Sequence, residues 1–454
     1  MFRRHCNAGS SAVAQAALDA QTSYLHHLIP ATSSNPNLCK LLLSSAILNY
    51  PTPIFINWGA HEAADAYKQH IQKIETILAY METITPKTEQ DLVLIVDGFD
   101  VWYQLRPDVM LKRYYAMNAV ADQIAREAYG EELFQAHNIT QTVIFGPDKI
   151  CWPIDYRRPA CWTMPNGPVD QYAFGPDTDY ELEEHNIPRW LNSGTILGPI
   201  EDVREVFRAT LAKVRANHTT DSDQFYFANV MGDQEYARLA RVPELLKEKM
   251  AEKYEGDNKT EPHPQRDSPI IEAGSKTEYH IGLDLEALMF QTMAYYRQFL
   301  VWMSYNNSWR SSAPNQERYN YVLPQDVVES APPFQAVNLS PDAPHDTAVY
   351  NQSWEEQNLL VNQLRDLWWH KLWFFPEAEA LRKASTKMVP GFLSESLIGG
   401  RMWKGAEKEE SMELIMAGRG GGWSDEKEAQ WLSWNKLCGK HEADIYSDRR
   451  PGKH

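Results

Sequence analysis

The chain of 454 residues is 43% apolar and 11% aromatic, so it is long enough to bury a large core and belongs to the globular class. Its formal net charge of -17 excludes a protein that binds nucleic acid regardless of sequence, because such proteins neutralise phosphates with clustered Lys and Arg. An anionic substrate would therefore need a local cation. No apolar run of about 18 residues occurs, so no membrane contact is encoded in this sequence.

Features of secreted proteins are mixed. The first 20 residues are predicted to be a flexible segment, and they lack the continuous apolar run of a signal peptide. Six Asn-x-Ser/Thr sequons exceed the number expected by chance and favour a secretory lumen, at Asn138, Asn217, Asn258, Asn306, Asn338 and Asn351. Cys151 and Cys161 bracket a short loop and either form a disulfide in an oxidising compartment or remain reduced structural thiols.

The first predicted elements alternate between strand and helix. Tyr24–Thr32 is the first strand and ends in a Pro-containing polar turn. Ser34 or Asn35 then offers an N-cap, with Pro36 at the first helical position, and the apolar spacing carries this helix to Asn49. The next strand and the one-sided helix after it are predicted at Pro53–Trp58 and Glu62–Thr83.

Asp91–Asp97 (DLVLIVD) is the most informative predicted strand, because its five central residues are all apolar. Only a central strand covered by helices on both faces has this pattern. Further strands are predicted at Thr142–Gly146 and Trp190–Gly198, the second followed by a helix from Pro199. Between them, Lys149–Asp179 predicts a long ordered loop of the kind that forms a wall or lid of a site. The pattern indicates an α/β fold.

The rest of the chain is less periodic. Asp221–Val230 predicts a helix, and His280–Phe290 closes the α/β part. In the tail, structure is expected to resume around Leu364–Ala384, and Gly418–Trp423 predicts a flexible break before a short helix at Glu426–Cys438. The predicted parts are a flexible segment 1–20, an α/β domain 21–300, an irregular linker 301–360 and a Trp-rich, mostly helical extension 361–454.

Asp97 and Asp100 are the candidate metal ligands. Asp97 follows the buried central strand, which is where ligands bind in open α/β sheets, and a turn through Gly98 would bring both carboxylates towards one point. Hard oxygen ligands in this arrangement suit Mn²⁺ or Mg²⁺, with phosphate oxygens completing the shell. The alternative is a strand-end Asp that caps a turn beside a second, solvated Asp.

Four motifs in the same order resemble a known family. DLVLIVDGFDVW, WLNSGTILGP (Trp190–Pro199), DSDQFYF (Asp221–Phe227) and LDLEALMFQ (Leu283–Gln291) are similar to the glycosyltransferase domain of procollagen-lysine hydroxylases and of related fungal proteins. The resemblance covers roughly residues 24–291. It implies a GT-A fold, which is Rossmann-like with a mainly parallel central sheet and helices on both faces.

The resemblance also implies roles for particular residues. Asp97 and Asp100 would contact Mn²⁺ and the nucleotide. The other implied ligand-binding residues are Pro30, Ala31 and Thr32 near the base, Lys73 near the phosphates, and Asn192, Ser193 and Gly194 facing the donor sugar. Those implied near the acceptor or transferred sugar are Asp221, Asp223 and Gln224. The alternatives are a solvated helix face for Lys73, a β-bulge for 192–194 and an acidic helix N-terminus for 221–224.

One departure from the family concerns the third metal ligand. The lysine-hydroxylase relatives complete their site with a His in a late His-Gly-Asn-Gly-like segment, which this sequence lacks. His345 and His370 are the late candidates. Either the third ligand differs in this chain or the metal site is weakened.

The function that the sequence predicts is transfer of a sugar from a nucleotide donor, a UDP-sugar by resemblance, to a hydroxyl of a glycan or glycoprotein in the Golgi lumen. Asp223 is the nominated general base if the anomeric configuration is inverted, and an acceptor-orienting residue if it is retained. The rival hypothesis is a catalytically silent member that binds a glycan or a partner. A phosphohydrolase fits poorly, because the familiar aspartyl-phosphatase pattern spaces its acids two apart and not three.

Overall fold

The computed structural model describes most of the first 300 residues and the end of the chain. The described ranges are 22–60, 66–86, 91–169, 171–180, 182–217, 221–251, 266–292, 294–296, 301–303, 326–327, 330, 349–351, 372–374, 392–394, 420–425 and 429–445. Of the sequence predictions, His345, His370 and most of Leu364–Ala384 lie outside these residues.

Strands and helices alternate along the described chain. The elements up to residue 148 are β1 (Thr22–Pro30), α1 (Pro36–Leu48), β2 (Ile54–Ile56), α2 (Ala66–Thr83), β3 (Leu92–Val96), β4 (Val101–Tyr103), α3 (Pro107–Tyr129), α4 (Glu131–Ala136) and β5 (Val143–Asp148). Those up to residue 292 are α5 (Pro159–Trp162), β6 (Trp190–Pro199), α6 (Ile200–Asn217), α7 (Asp223–Ala240), α8 (Pro243–Ala251), β7 (Ile281–Leu283) and β8 (Phe290–Thr292), with a 3-10 turn at Glu183–His185. The later elements are β9 (Val301–Met303), β10 (Val349–Asn351), β11 (Leu372–Phe374), β12 (Phe392–Ser394), β13 (Gly422–Ser424), β14 (Trp431–Leu432), α9 (Trp434–Cys438) and α10 (Glu442–Ile445), with a 3-10 turn at Gly439–His441.

The main sheet is mixed and mostly parallel. Its strands follow the order β14-β13-β2-β1-β3-β6-β5-β7, with β10 paired to β1 outside this path. Strands β13, β2, β1 and β3 run parallel to one another, and β7 runs parallel to β5. Strand β6 runs antiparallel to both of its neighbours, β3 and β5. The smaller sheets contain β11-β9 and β4-β12-β8.

Helices cover both faces of this sheet, as the sequence of β3 predicts. All five residues of β3 are buried. Leu92, Leu94 and Val96 belong to a core shared with α1 and α3, whereas Val93 and Ile95 belong to a core shared with α2, α6 and α7. The alternation arises because successive strand side chains point to opposite faces. The predicted α/β class is therefore confirmed.

The start and end of α1 follow from its sequence. The Asn35 side chain accepts a hydrogen bond from the Leu38 backbone N–H at 2.9 Å, and Pro36 stands at the first helical position, so Asn35 rather than Ser34 is the N-cap. Asn49 ends the helix in the left-handed conformation, with a φ of 65°. The predicted helix is confirmed at both ends.

Other predicted boundaries need correction. Strand β1 ends at Pro30, so Ala31 and Thr32 lie in the turn that follows, and β5 extends to Asp148 rather than ending at Gly146. The helix after β6 begins at Ile200. The loop from Lys149 to Asp179 is interrupted by the single turn of α5.

The predicted flexible break at Gly418–Trp423 is wrong for its described part. Gly422 begins β13, which pairs with β2, and a Cβ on Gly422 would overlap the Phe55 ring. The glycines therefore permit close packing here rather than flexibility. Among the described residues of the helix predicted at Glu426–Cys438, Trp434–Cys438 is the helical part. The described residues of 361–454 contain four strands beside two short helices.

Two disulfides are present among the described residues. Cys151 and Cys161 are bridged, which decides between the two predicted states. Cys39 in α1 is bridged to Cys438 in α9, a pair that the sequence analysis does not predict. Because this second bridge joins residues 399 positions apart, it closes a loop that includes most of the chain.

We expect the double substitution Cys39→Ala/Cys438→Ala to destabilise the protein more than Cys151→Ala/Cys161→Ala does. A disulfide constrains the unfolded chain in proportion to the logarithm of loop length, so the loops of 399 and 10 residues differ by about 3 kcal/mol in this model. Urea unfolding of both variants at pH 7 measures the difference. Equal losses of stability would contradict the expectation.

Candidate active site

The candidate site lies at one edge of the main sheet. The parallel strands β1, β2 and β3 all end at this edge, at Pro30, Ile56 and Val96. Because β6 is antiparallel, its first half lies there instead, and β5 ends there at Asp148, opposite Trp190. Ligands bind at the carboxyl ends of strands in open α/β sheets, so the topology brings the predicted residues to the expected edge.

The turn after β3 packs tightly against the end of β1. The Asp97 backbone N–H donates to the Gly194 carbonyl at 2.9 Å, which ties the turn to β6. A Cβ on Gly98 would lie 2.8 Å from the Pro30 carbonyl oxygen and 3.2 Å from the Ala31 Cβ, so only glycine fits without a shift. The DGFD turn, which also contains Asp100, therefore lies directly beside Pro30 and Ala31.

Lys73 joins two carboxylates that are distant in sequence. Its Nζ lies 2.5 Å from Asp97 Oδ1 and 2.8 Å from Asp223 Oδ2, and 3.5 Å from the Ser193 carbonyl oxygen. The Lys73 side chain is only 13% exposed, so it does not lie on a solvated helix face. The ammonium group thus connects α2, the end of β3 and the start of α7.

Asp223 has a second cationic neighbour that the sequence analysis missed. His70, one turn before Lys73 on α2, places Nδ1 2.9 Å from Asp223 Oδ1. Asp223 is the first residue of α7, behind the Ser222 N-cap. Helical spacing would have found His70, because residues three apart on a helix share one face. We call His70, Lys73, Asp97 and Asp223 the charge cluster.

The charges of the cluster set its pKa values. Burial acts to raise the pKa of Asp223, but the charge of Lys73 and the hydrogen bonds from His70 and Lys73 together hold it well below its ordinary value. For Asp97, burial outweighs the effect of Lys73, so its pKa is raised. The hydrogen bond to Asp223 raises the pKa of His70, and the two carboxylates raise that of Lys73 in spite of burial.

The predicted residues of β6 lie in an irregular part of the strand. Pairing with β5 passes from Ile196 directly to Asn192, so 193–195 bulge out of the ladder. The Asn192 side-chain oxygen accepts the Gly194 N–H at 3.0 Å and stabilises this bulge. The β-bulge alternative is therefore correct as geometry. Towards β3 the pairing of β6 stays regular, and it places the Gly194 carbonyl opposite the Asp97 N–H.

Asp148 is a buried carboxylate of the site that the sequence analysis missed. The Asn192 amide nitrogen lies 3.4 Å from Asp148 Oδ2 and 3.4 Å from Gln224 Oε1. Burial raises the pKa of Asp148, although hydrogen bonds from Asn192 and the Lys149 backbone act in the opposite direction. The sequence signal for Asp148 would be a polar residue at the end of a buried strand, on the ligand-binding edge. A predicted strand that stops at Gly146 does not include it.

Two of the predicted residues stand apart from the charge cluster. Asp221 lies near Arg158. Burial lowers the pKa of the Arg158 guanidinium to about 10, and the negative charge of Asp221 acts in the opposite direction. The Thr32 carbonyl accepts the Gly59 N–H at 2.9 Å, so Thr32 is connected to the turn after β2.

The predicted metal ligands are Asp97 and Asp100, which both belong to the turn after β3. Within the described part of the chain, no group of three or more His, Cys, Asp or Glu side chains is arranged to hold a metal ion. Two carboxylates with substrate phosphates are nevertheless a common set for Mg²⁺, and the Asp97 side chain is one-third exposed, at 33%. The donor chemistry fits, with Lys73 engaging one Asp97 oxygen.

No family model and no curated protein matches the chain. None of the described helices is long and apolar enough to cross a bilayer. The functional assignment therefore depends on the geometry of the site and on the motifs that lie at it.

Substituting Lys73 tests the charge cluster. We expect Lys73→Met to cost about 3–5 kcal/mol of unfolding free energy at pH 7, because it leaves the buried Asp223 carboxylate without its ammonium partner. Lys68 is exposed on the same helix, so Lys68→Met is the matched control and should change stability by less than about 0.5 kcal/mol. Equal effects of the two substitutions would contradict this role of Lys73.

The pH dependence of stability separates the contributions of Asp223 and His70. Because the pKa of Asp223 is lowered in the folded state, ionised Asp223 stabilises the fold above about pH 3.9, and this stabilisation is lost as pH falls through the native pKa. Because the pKa of His70 is raised in the folded state, protonated His70 stabilises the fold below about pH 6.5, and this stabilisation is lost as pH rises through the native pKa. The difference in unfolding free energy between wild type and Asp223→Asn should therefore be largest between those pH values. His70→Gln should remove the decline on the alkaline side and keep most of the decline on the acidic side, because Lys73 still lowers the pKa of Asp223. A difference independent of pH would refute the assignment.

Proposed function

We propose that this chain is a metal-dependent glycosyltransferase of the GT-A type that transfers a sugar from a UDP-sugar to a hydroxyl of a glycan or glycoprotein. The observation that carries the proposal is the charge cluster at the sheet edge, where Lys73 joins Asp97 to Asp223. The family resemblance of four ordered motifs supports this proposal. The residues that the resemblance implies for binding metal, donor and acceptor lie on neighbouring elements.

The leaving diphosphate requires positive charge at this edge. Asp97 and Asp100 would hold Mn²⁺ or Mg²⁺, which supplies a Lewis acid to a departing diphosphate when bound. Lys73 contributes a fixed ammonium group beside the same turn, 2.5 Å from Asp97. A preorganised charge of this kind stabilises the developing negative charge without reorganisation during the reaction.

The acceptor side contains two carboxylates with different electrostatics. The pKa of Asp223 is held low by Lys73 and His70, so Asp223 is a poor proton acceptor and is better suited to orienting a sugar hydroxyl. The pKa of Asp148 is raised by burial, which favours proton acceptance. For an inverting reaction we therefore nominate Asp148 as general base in place of Asp223. Asn192 and Gln224 provide amide groups that hydrogen-bond sugar hydroxyls.

The proposed compartment is the secretory pathway, in the Golgi lumen. Two disulfides support it, because such bonds persist in oxidising compartments. The sequon at Asn138 is exposed in a turn after α4, which is the position that glycosylation requires.

A screen of UDP-sugars with Mn²⁺, read as UDP release, tests the proposed reaction. We expect release from one donor class and a loss of at least about 100-fold in Asp100→Ala, because the substitution removes one of two metal ligands. Glu132→Ala on α4 is the control, since α4 precedes β5 and lies towards the opposite edge of the sheet. Unchanged release by Asp100→Ala would refute the assignment of the metal site.

The second candidate is a catalytically silent protein that binds a nucleotide or glycan through the same fold. The contact between Lys73 and Asp97 favours it, because the ammonium group engages an oxygen that a metal ion would otherwise use. Calorimetric titration with UDP, with and without Mn²⁺, distinguishes the two candidates. An enzyme should bind UDP more tightly with Mn²⁺, and a silent protein should show no such enhancement.

A further inference from the structure

The last described residues of the chain add a strand to the main sheet, and this strand ends at the same edge as the candidate site. We call residues 420–425 and 429–445 the C-terminal clasp. Within it, β13 runs parallel to β2, with Trp423 opposite Ile54 and Ser424 opposite Phe55. The Trp423 N–H donates to the Pro53 carbonyl at 2.9 Å, and the Asp425 N–H to the Phe55 carbonyl at 3.1 Å. Because the strands are parallel, Asp425 follows β13 at the edge where β1, β2 and β3 end.

The Asp425 carboxylate holds the turn after β2. Its Oδ2 accepts the Asn57 backbone N–H at 2.6 Å. Asn57 has a φ of 67°, a left-handed conformation that is uncommon for L-residues and that Asn tolerates better than most. The hydrogen bond to a charged acceptor stabilises this conformation.

The same turn is bonded to the end of β1. The Gly59 N–H donates to the Thr32 carbonyl at 2.9 Å, and the Ala31 N–H donates to the Ile56 carbonyl at 3.1 Å. A continuous series of hydrogen bonds therefore leads from Asp425 through the turn at 57–60 to Thr32. The clasp also reaches the other side of the 31–35 loop, where the Ser34 hydroxyl donates to the Leu437 carbonyl, next to the Cys39–Cys438 disulfide.

We propose that Asp425 is a positioning residue for the nucleotide end of the donor site. This inference deepens the proposed function and rests on it, because Pro30–Thr32 are placed near the base by that proposal. Hydrogen bonds join both the 31–35 loop and the 57–60 turn to the clasp. Both segments are therefore already ordered when a nucleoside diphosphate binds. Ordering a loop before binding removes that cost from the binding free energy.

Titration of the full chain with UDP in the presence of Mn²⁺ tests the inference. We expect Asp425→Ala to raise the Kd for UDP about tenfold, since a hydrogen bond to a charged group is lost from the turn. Asp425→Asn keeps an acceptor oxygen and should stay within about twofold of wild type. Asp444→Ala is the control, because Asp444 is an exposed carboxylate elsewhere in the clasp. In turnover, Asp425→Ala should raise the donor KM and leave kcat nearly unchanged.

Hydrogen–deuterium exchange of the peptide containing 57–60, measured on the same proteins, separates this inference from the proposed function. Faster exchange in Asp425→Ala only, together with weaker UDP binding, supports the inference. UDP binding by Asp425→Ala within twofold of wild type overturns it, as does exchange equal to wild type. If wild type itself binds no UDP, the proposed function fails, and the exchange data alone then decide whether Asp425 holds the turn.

Discussion

The structure around the candidate site depends on one largely buried ammonium group, that of Lys73. Lys73 lies between Asp97 and Asp223, and its positive charge offsets the repulsion between these two carboxylates and part of the cost of burying them. With His70, the cluster contains two potential positive charges and two negative charges. The Lys73 contacts fix α2, the end of β3 and the start of α7 relative to one another, and these elements carry most of the residues of the site.

The antiparallel strand β6 explains why the site contains more than the ends of parallel strands. It lies between β3 and β5 and brings the segment from Asn192 to Gly194 to the edge that holds Asp97. Its regular pairing with β3 continues to the Gly194 carbonyl, which accepts the Asp97 N–H, and the Asn192 side chain reaches both Asp148 and Gln224. The proposed donor and acceptor sides thus share a single strand.

Local sequence signals predicted the fold where the structure is decided locally. The run of apolar residues in β3 and the Asn35-Pro36 helix start are visible within a few positions, and both predictions are confirmed. The Cys39–Cys438 bridge and the pairing of β13 with β2 join residues more than 350 positions apart, and no sequence period carries that information. The Gly run before Trp423 therefore predicts flexibility from sequence alone, although packing against Phe55 is what requires glycine at position 422.

The residue types of the site were easier to predict than their contacts. Asp97, Asp223 and Lys73 were all named from the sequence, but their mutual ion pairs depend on how α2 and α7 cross the sheet. Asp148 and His70 are harder to predict, because β5 continues two residues beyond Gly146 and because His70 joins the site only through the face of α2 that also carries Lys73. An acidic chain needs a local cation for an anionic substrate, and because Asp97 and Asp223 balance Lys73 and His70, the proposed Mn²⁺ or Mg²⁺ would have to supply that charge.

A crystal grown with UDP and Mn²⁺ would test the central claim most directly, through the anomalous signal of manganese. The account predicts a peak in contact with the Asp97 and Asp100 carboxylates, with the diphosphate beside Lys73 and the base towards Pro30–Thr32. A nucleotide bound at the opposite edge of the sheet, or a manganese peak remote from Asp97, would contradict it.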